Sequence, residues 1–150
     1  MDQTRLAGGR SRLELEIIER QAMIEALIVD DSRALRGILG KMLMRHGFTI
    51  FQAENGKQAL KSLEGEARAV KLLCLDYNMP EMNGLEFLTR MRQMPEFQHV
   101  PVLMITTETH VEFISKAIAA GSNEYVMKPF TEEMVVDKLK MLGFLPDAAI

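Results

Sequence analysis

Residues 72–84 read LLCLDYNMPEMNG, and this stretch decides the fold. Four apolar residues in a row, Leu72 to Leu75, suit a strand in the middle of a sheet, covered on both faces. The run stops at a carboxylate, Asp76, and passes at once into Asn, Met, Pro and Gly, residues that favour turns. In a parallel α/β sheet, ligands bind outside the carboxyl ends of the strands. An acid at such an end is therefore a candidate site residue, and the rest of the chain must supply its neighbours.

From Ala26 onward, short apolar strands alternate with longer amphipathic stretches, the pattern of an α/β fold with a mostly parallel sheet. The strands are expected at ALIVD (26–30), FTIFQA (48–53), VKLLCLD (70–76), VPVLMITT (100–107) and EYVMK (124–128). Leu35, Ile38, Leu39, Met42 and Leu43 recur at helical spacing after the first strand, and His46 with Gly47 suits a helix end. Asn55-Gly56 reads as a turn before a helix carrying Ala59, Leu60 and Leu63. A third helix carries Leu85, Leu88 and Met91. THVE (109–112) matches a capping box opening a fourth, which stops at Gly121. Thr131, Glu132 and Glu133 open the last, with Lys138 and Lys140 at the negative end of its dipole.

At 150 residues the chain has the size of one domain with a full core. A net charge of −3 gives no global attraction to nucleic acid, and no local basic patch replaces it. No apolar run reaches the ~20 residues of a membrane span, and no signal peptide opens the chain, so a cytoplasmic protein with no membrane partner is expected. Cys74 cannot pair internally and reads as core filling.

Four of the five strand ends gather a consistent chemistry. The first ends in Asp30 and Asp31, the third in Asp76, the fourth in Thr106 and Thr107, and the fifth in Lys128 before Pro129. Crowded carboxylates raise one another's pKa unless a cation intervenes, and their oxygens suit a hard ion such as Mg²⁺ better than zinc. Phosphoryl transfer to a carboxylate fits these groups. Asp76 would be the nucleophile, with Thr106 and Lys128 on the phosphoryl oxygens. The Lys-Pro bond can be cis, which in a tight turn would fix the lysine's geometry.

With LIVDDSRALR, LLCLDYNMPEMNG, VLMITTE and AAGSNEYVMKPF at these intervals, residues 24–143 resemble the receiver domain of two-component response regulators, in particular the stand-alone CheY-like chemotaxis type. The resemblance implies a flavodoxin-like, five-stranded parallel sheet of order 2-1-3-4-5 flanked by five helices; that order comes from the resemblance and not from periodicity. It implies a phosphoryl group accepted on Asp76 from a sensor histidine kinase or phosphotransfer protein. It implies Mg²⁺ on Asp31, Asp76 and the Asn78 backbone carbonyl, with Asp30 acting through water. Thr106 and Lys128 would bind the phosphoryl oxygens, and Tyr125 would turn inward as Thr106 moves. Asn78 and Glu108 stand where receiver domains tune phosphoryl loss. Asn83 departs from the family's usual MDG, a change that a turn before Gly tolerates.

Residues 1–22 read as a poorly ordered extension, 23–145 as the receiver domain and 146–150 as a tail. With no output domain expected after the last helix, output would pass by contact to a flagellar motor component or another signalling protein, with a phosphatase as a further partner. A relay or stress circuit is the alternative to chemotaxis. A haloacid-dehalogenase-type phosphatase would place its nucleophile after the first strand in a D-x-D pattern, which DDS does not match. A flavin module would need a phosphate loop where DDSRALRG is acidic. The three histidines, His46, His99 and His110, lack metal-ligand spacing and read as surface or capping residues.

Overall fold

Strand β1 (Ile24–Val29) lies at the interior of a five-stranded parallel sheet, between β2 (Phe48–Ala53) and β3 (Leu72–Leu75), with β4 (Val102–Thr106) and β5 (Glu124–Met127) completing the order 2-1-3-4-5. The computed structural model describes residue 9, residues 11–15 and residues 24–146. Among residues 24–146, five α-helices link and follow the strands, α1 (Arg33–Met44), α2 (Gly56–Glu64), α3 (Gly84–Arg92), α4 (Val111–Ala119) and α5 (Glu132–Met141), with a 3-10 turn (Pro95–Phe97) between α3 and β4.

Because side chains alternate across a strand, the sheet feeds two cores. Leu27, Val29, Leu73, Leu75, Val102 and Met104 pack with Leu63, Phe87, Leu88 and Met91 from α2 and α3. Ala26, Ile28, Leu72, Cys74, Leu103 and Ile105 pack on the other face with Leu39 and Leu43 of α1 and Val135 and Leu139 of α5. All four residues of β3 are buried, so the LLCL run is apolar throughout because helices cover both its faces. Burial pushes the Cys74 thiol up to about 12, in keeping with core packing.

Two boundary expectations change. Asn55 is not a free turn residue but the N-cap of α2, its side chain accepting from the Gln58 N–H. The expected THVE capping box does not form. Helix α4 starts at Val111, one residue later than that box requires, with His110 at its N-cap and no side-chain cap; the Glu108 carboxylate accepts the His110 N–H. A true capping box opens α3, where Asn83 and Glu86 bond reciprocally at 2.8 and 3.2 Å. The reading of residues 1–22 falls mostly outside the described residues; within them, 12–15 form a helical turn in which the Ser11 hydroxyl accepts from the Glu14 N–H.

Candidate functional site

The sheet's ladder runs one residue past three strands and thereby fixes the site. Asp30 donates its N–H to Ala53 O at 3.1 Å, Asp76 to Val29 O at 3.0 Å, and Lys128 to Thr106 O at 2.9 Å. Three chemically active residues are thus held by backbone bonds to neighbouring strands. A turn then carries the chain away from Asp76. The Gly84 N–H donates to Tyr77 O at 2.7 Å, and a Cβ on Gly84 would fall on the Asp76 carbonyl oxygen and within 2.9 Å of Tyr77 Cα. Glycine is needed there for that approach.

Side chains converge on the same edge. Lys128 Nζ lies 2.7 Å from Asp30 Oδ2 and 3.3 Å from Asp76 Oδ2. Asp30 is buried, and its other oxygen accepts the Ser32 N–H at 2.8 Å. Asp76 is buried, and its Oδ1 accepts the Asn78 N–H at 3.3 Å. Asp31 and Asn78 are exposed. Carboxylate oxygens of Asp30, Asp31 and Asp76 lie within 4.8 Å of one another. Burial raises the Asp76 pKa, the Asp30 charge adds to the rise, and Lys128 and Thr106 oppose it. One ammonium faces three acids, so the donor set suits a hard divalent cation: oxygen ligands, clustered, with excess negative charge. The Lys128–Pro129 peptide is cis.

Thr106 is fully buried, and its Oγ1 accepts the Glu108 N–H at 3.3 Å. Thr107, by contrast, is exposed. The Tyr125 hydroxyl donates to the Glu108 carbonyl. The Glu108 carboxylate is bound by His110 through the backbone N–H at 3.2 Å and ring Nδ1 at 2.8 Å. The His110 contact holds the Glu108 carboxyl below the usual carboxylate range.

Sequence reasoning missed the contacts of four residues. Arg36 is buried and donates from Nη1 to Asp30 O at 2.6 Å and from Nε to Gln52 Oε1 at 3.0 Å, clamping the β1–α1 loop to β2. Its signal was available, since Arg36, Leu39 and Leu43 share one helical face and a charge there needs a buried partner. Tyr77 packs its ring on Phe113 at 5.5 Å, linking the loop after Asp76 to α4. His46 and His110 each hold a glutamate, Glu132 and Glu108, at 3.2 and 2.8 Å, whereas His99 is exposed as expected.

Compared with known families, residues 26–140 match the response regulator receiver domain. The chain is 38% identical over 120 residues to the chemotaxis protein CheY1 of Helicobacter pylori, covering 79% of this chain and 96% of that protein. It is 37% identical over 120 residues to the chemotaxis protein CheY of Pseudomonas aeruginosa, covering 79% and 95%. The crystal structure of chemotaxis protein CheY4 of Vibrio cholerae superposes with a TM-score of 0.74 at 33% identity, over 79% of this chain and 98% of that one.

Proposed function

This chain belongs to the response regulator receiver domain family, and on that premise we propose that Asp76 is the residue that takes up the phosphoryl group. The protein is a signalling switch rather than a classical enzyme. The observation that carries the proposal is the position of Asp76, buried at a strand end 3.3 Å from Lys128 and clustered with Asp30 and Asp31. An Asp76 oxygen attacks phosphorus, the P–N bond of a donor phosphohistidine breaks, and the imidazole leaves with the electron pair. Hydrolysis later breaks the P–O bond and restores the carboxylate and inorganic phosphate.

Asp30, Asp31, Asp76 and the Asn78 carbonyl would hold Mg²⁺, which when bound supplies neutralisation of charge on the phosphoryl oxygens. Lys128 leaves Asp30 and Asp76 to bind a phosphoryl oxygen, and the Thr106 hydroxyl donates to another. When Thr106 turns to the phosphoryl group it releases the Glu108 N–H, and Tyr125 follows from the Glu108 carbonyl; this is the switch. Asn78 and Glu108 set how fast the phosphoryl group is lost.

The relatives named as chemotaxis proteins support a chemotaxis pathway. In it a sensor histidine kinase or phosphotransfer protein is the donor, a cytoplasmic target such as a motor component is the receiver of the signal, and a phosphatase is a further partner. Borohydride trapping tests the acceptor. Reduction of the acyl phosphate should leave homoserine at position 76 of wild type, and homoserine at any other position would refute the assignment.

A further inference from the structure

We propose that Gly56, the first residue of α2, is a positioning residue for the cation site: its missing side chain makes the seat in which Met82 fixes the loop after Asp76. This rests on the reading of Asp76 as phosphoacceptor and of the Asn78 carbonyl as a Mg²⁺ ligand, and it concerns the same site.

A glycine opening a helix calls for a reason, because it loses more chain freedom on folding than alanine does. Backbone conformation does not supply one, since the φ of Gly56 lies outside the left-handed region. Space does. A Cβ on Gly56 would stand 2.7 Å from Met82 Sδ, 3.0 Å from its Cγ and 3.1 Å from its Cβ. Met82 is buried, so its side chain is enclosed, and its Cβ moves only with the loop backbone.

The loop has its own need of that seat. Glu81 holds a left-handed backbone at φ 68°, and the Met82 N–H donates to Pro80 O at 2.8 Å. A hydrogen bond that closes over one residue of positive φ marks the rare, strained γ-turn, which persists only where its surroundings hold it. One hold is the Gly84 N–H on Tyr77 O at 2.7 Å; the other is Met82 in its seat. Lys57 and Glu81, 3.7 Å apart, also join the two segments, but both side chains are mostly exposed and such pairs contribute little.

The seat is rigid and shares its footing with Asp30. The Asn55 side chain accepts the Gln58 N–H at 2.9 Å, and the Gln58 side chain in turn accepts the Glu54 N–H at 2.9 Å, which fixes the first turn of α2. These residues follow Ala53, whose carbonyl accepts the Asp30 N–H at 3.1 Å. Met82 on Gly56 therefore sets the spacing between Asp30 and Asp31 on one loop and Asp76 and Asn78 on the other. Mg²⁺ demands near-ideal ligand geometry, so an error in that spacing costs affinity.

The test is Mg²⁺ titration by calorimetry on phosphate-free wild type, Gly56→Ala, Gly56→Ala/Met82→Ala and Lys57→Ala. Gly56→Ala should bind Mg²⁺ about tenfold more weakly, although alanine favours the helix. Trimming Met82 in the double variant should restore about threefold of that loss, and Lys57→Ala should bind like wild type. Equal affinity in wild type and Gly56→Ala would overturn the proposal, as would a double variant no tighter than Gly56→Ala or an equally large loss in Lys57→Ala. A metal-free arm separates the seat from overall stability. Amide exchange at Gly84, divided by that of the buried β3 amides, should rise in Gly56→Ala and fall back in the double variant; an unchanged ratio overturns the seat. A wild type that takes up no Mg²⁺ and no phosphoryl group would instead overturn the receiver reading, and the exchange ratio would still decide the seat.

Discussion

The Lys128 ammonium stands 2.7 Å from Asp30 and 3.3 Å from Asp76, so the lysine is shared between the two buried acids rather than committed to the nucleophile. Sharing leaves it free to move toward an incoming phosphoryl group while a cation takes over the charge of the acids. Lys128→Ala should therefore cost about 1–3 kcal/mol at neutral pH without divalent ions, because buried carboxylates lose their counter-charge. Mg²⁺ should restore much of that loss. Urea unfolding with and without Mg²⁺ checks this, and a variant as stable as wild type in both conditions would contradict it.

Asp76 carries a pKa raised mainly by burial, so its charged form opposes folding. For an acid with a raised folded-state pKa, the destabilisation is full above that pKa and vanishes as pH falls below the unfolded value of about 3.9. Asp76→Asn should accordingly raise the metal-free melting temperature by about 2–5 °C at neutral pH. The gain should shrink as the pH falls into the carboxylate range. Calorimetry at the two pH values reads it directly; a gain that grows on acidification would reverse the sign assigned here.

Gly84→Ala places a methyl group against the Asp76 carbonyl and Tyr77 Cα, both backbone atoms that cannot yield as a side-chain tip would. A loss of about 2 kcal/mol or more is expected, with weaker phosphoryl uptake because the Asp76 turn must shift. Denaturant titration together with adduct yield distinguishes this from a purely local change.

Arg36→Met keeps the apolar stem but removes the donors to the Asp30 carbonyl and to Gln52. Stability should fall by about 1–3 kcal/mol, and Mg²⁺ affinity should weaken because Asp30 and Asp31 sit on the loop that Arg36 clamps. Isothermal titration with Mg²⁺ measures the second effect, and unchanged affinity would show that the loop needs no clamp.

Much of this architecture is legible in the residues because burial acts on whole strands. The LLCL run and the short apolar-rich stretch FTIFQA identify their strands without tertiary knowledge, and Asp30, Asp76, Thr106 and Lys128 then fall at one edge by topology alone. Strand order was another matter: every strand reads apolar, and nothing local says that β1 lies between β2 and β3. It came from family resemblance and agrees with the observed sheet. The start of α4 was misread because Thr109 and Glu112 have capping-box spacing, whereas the N-cap falls one residue later, at His110, whose N–H is held by the Glu108 carboxylate from outside the helix. Arg36 was overlooked because its partners are a backbone carbonyl and a β2 side chain, which no spacing rule connects.

The most direct test of the central claim is intact mass after incubation with acetyl phosphate, with and without Mg²⁺, for wild type and Asp76→Asn. One phosphoryl adduct that appears on wild type, depends on Mg²⁺ and is absent from Asp76→Asn is the result the account predicts. An adduct of equal yield on the Asn variant, or none on wild type under any condition, would contradict it.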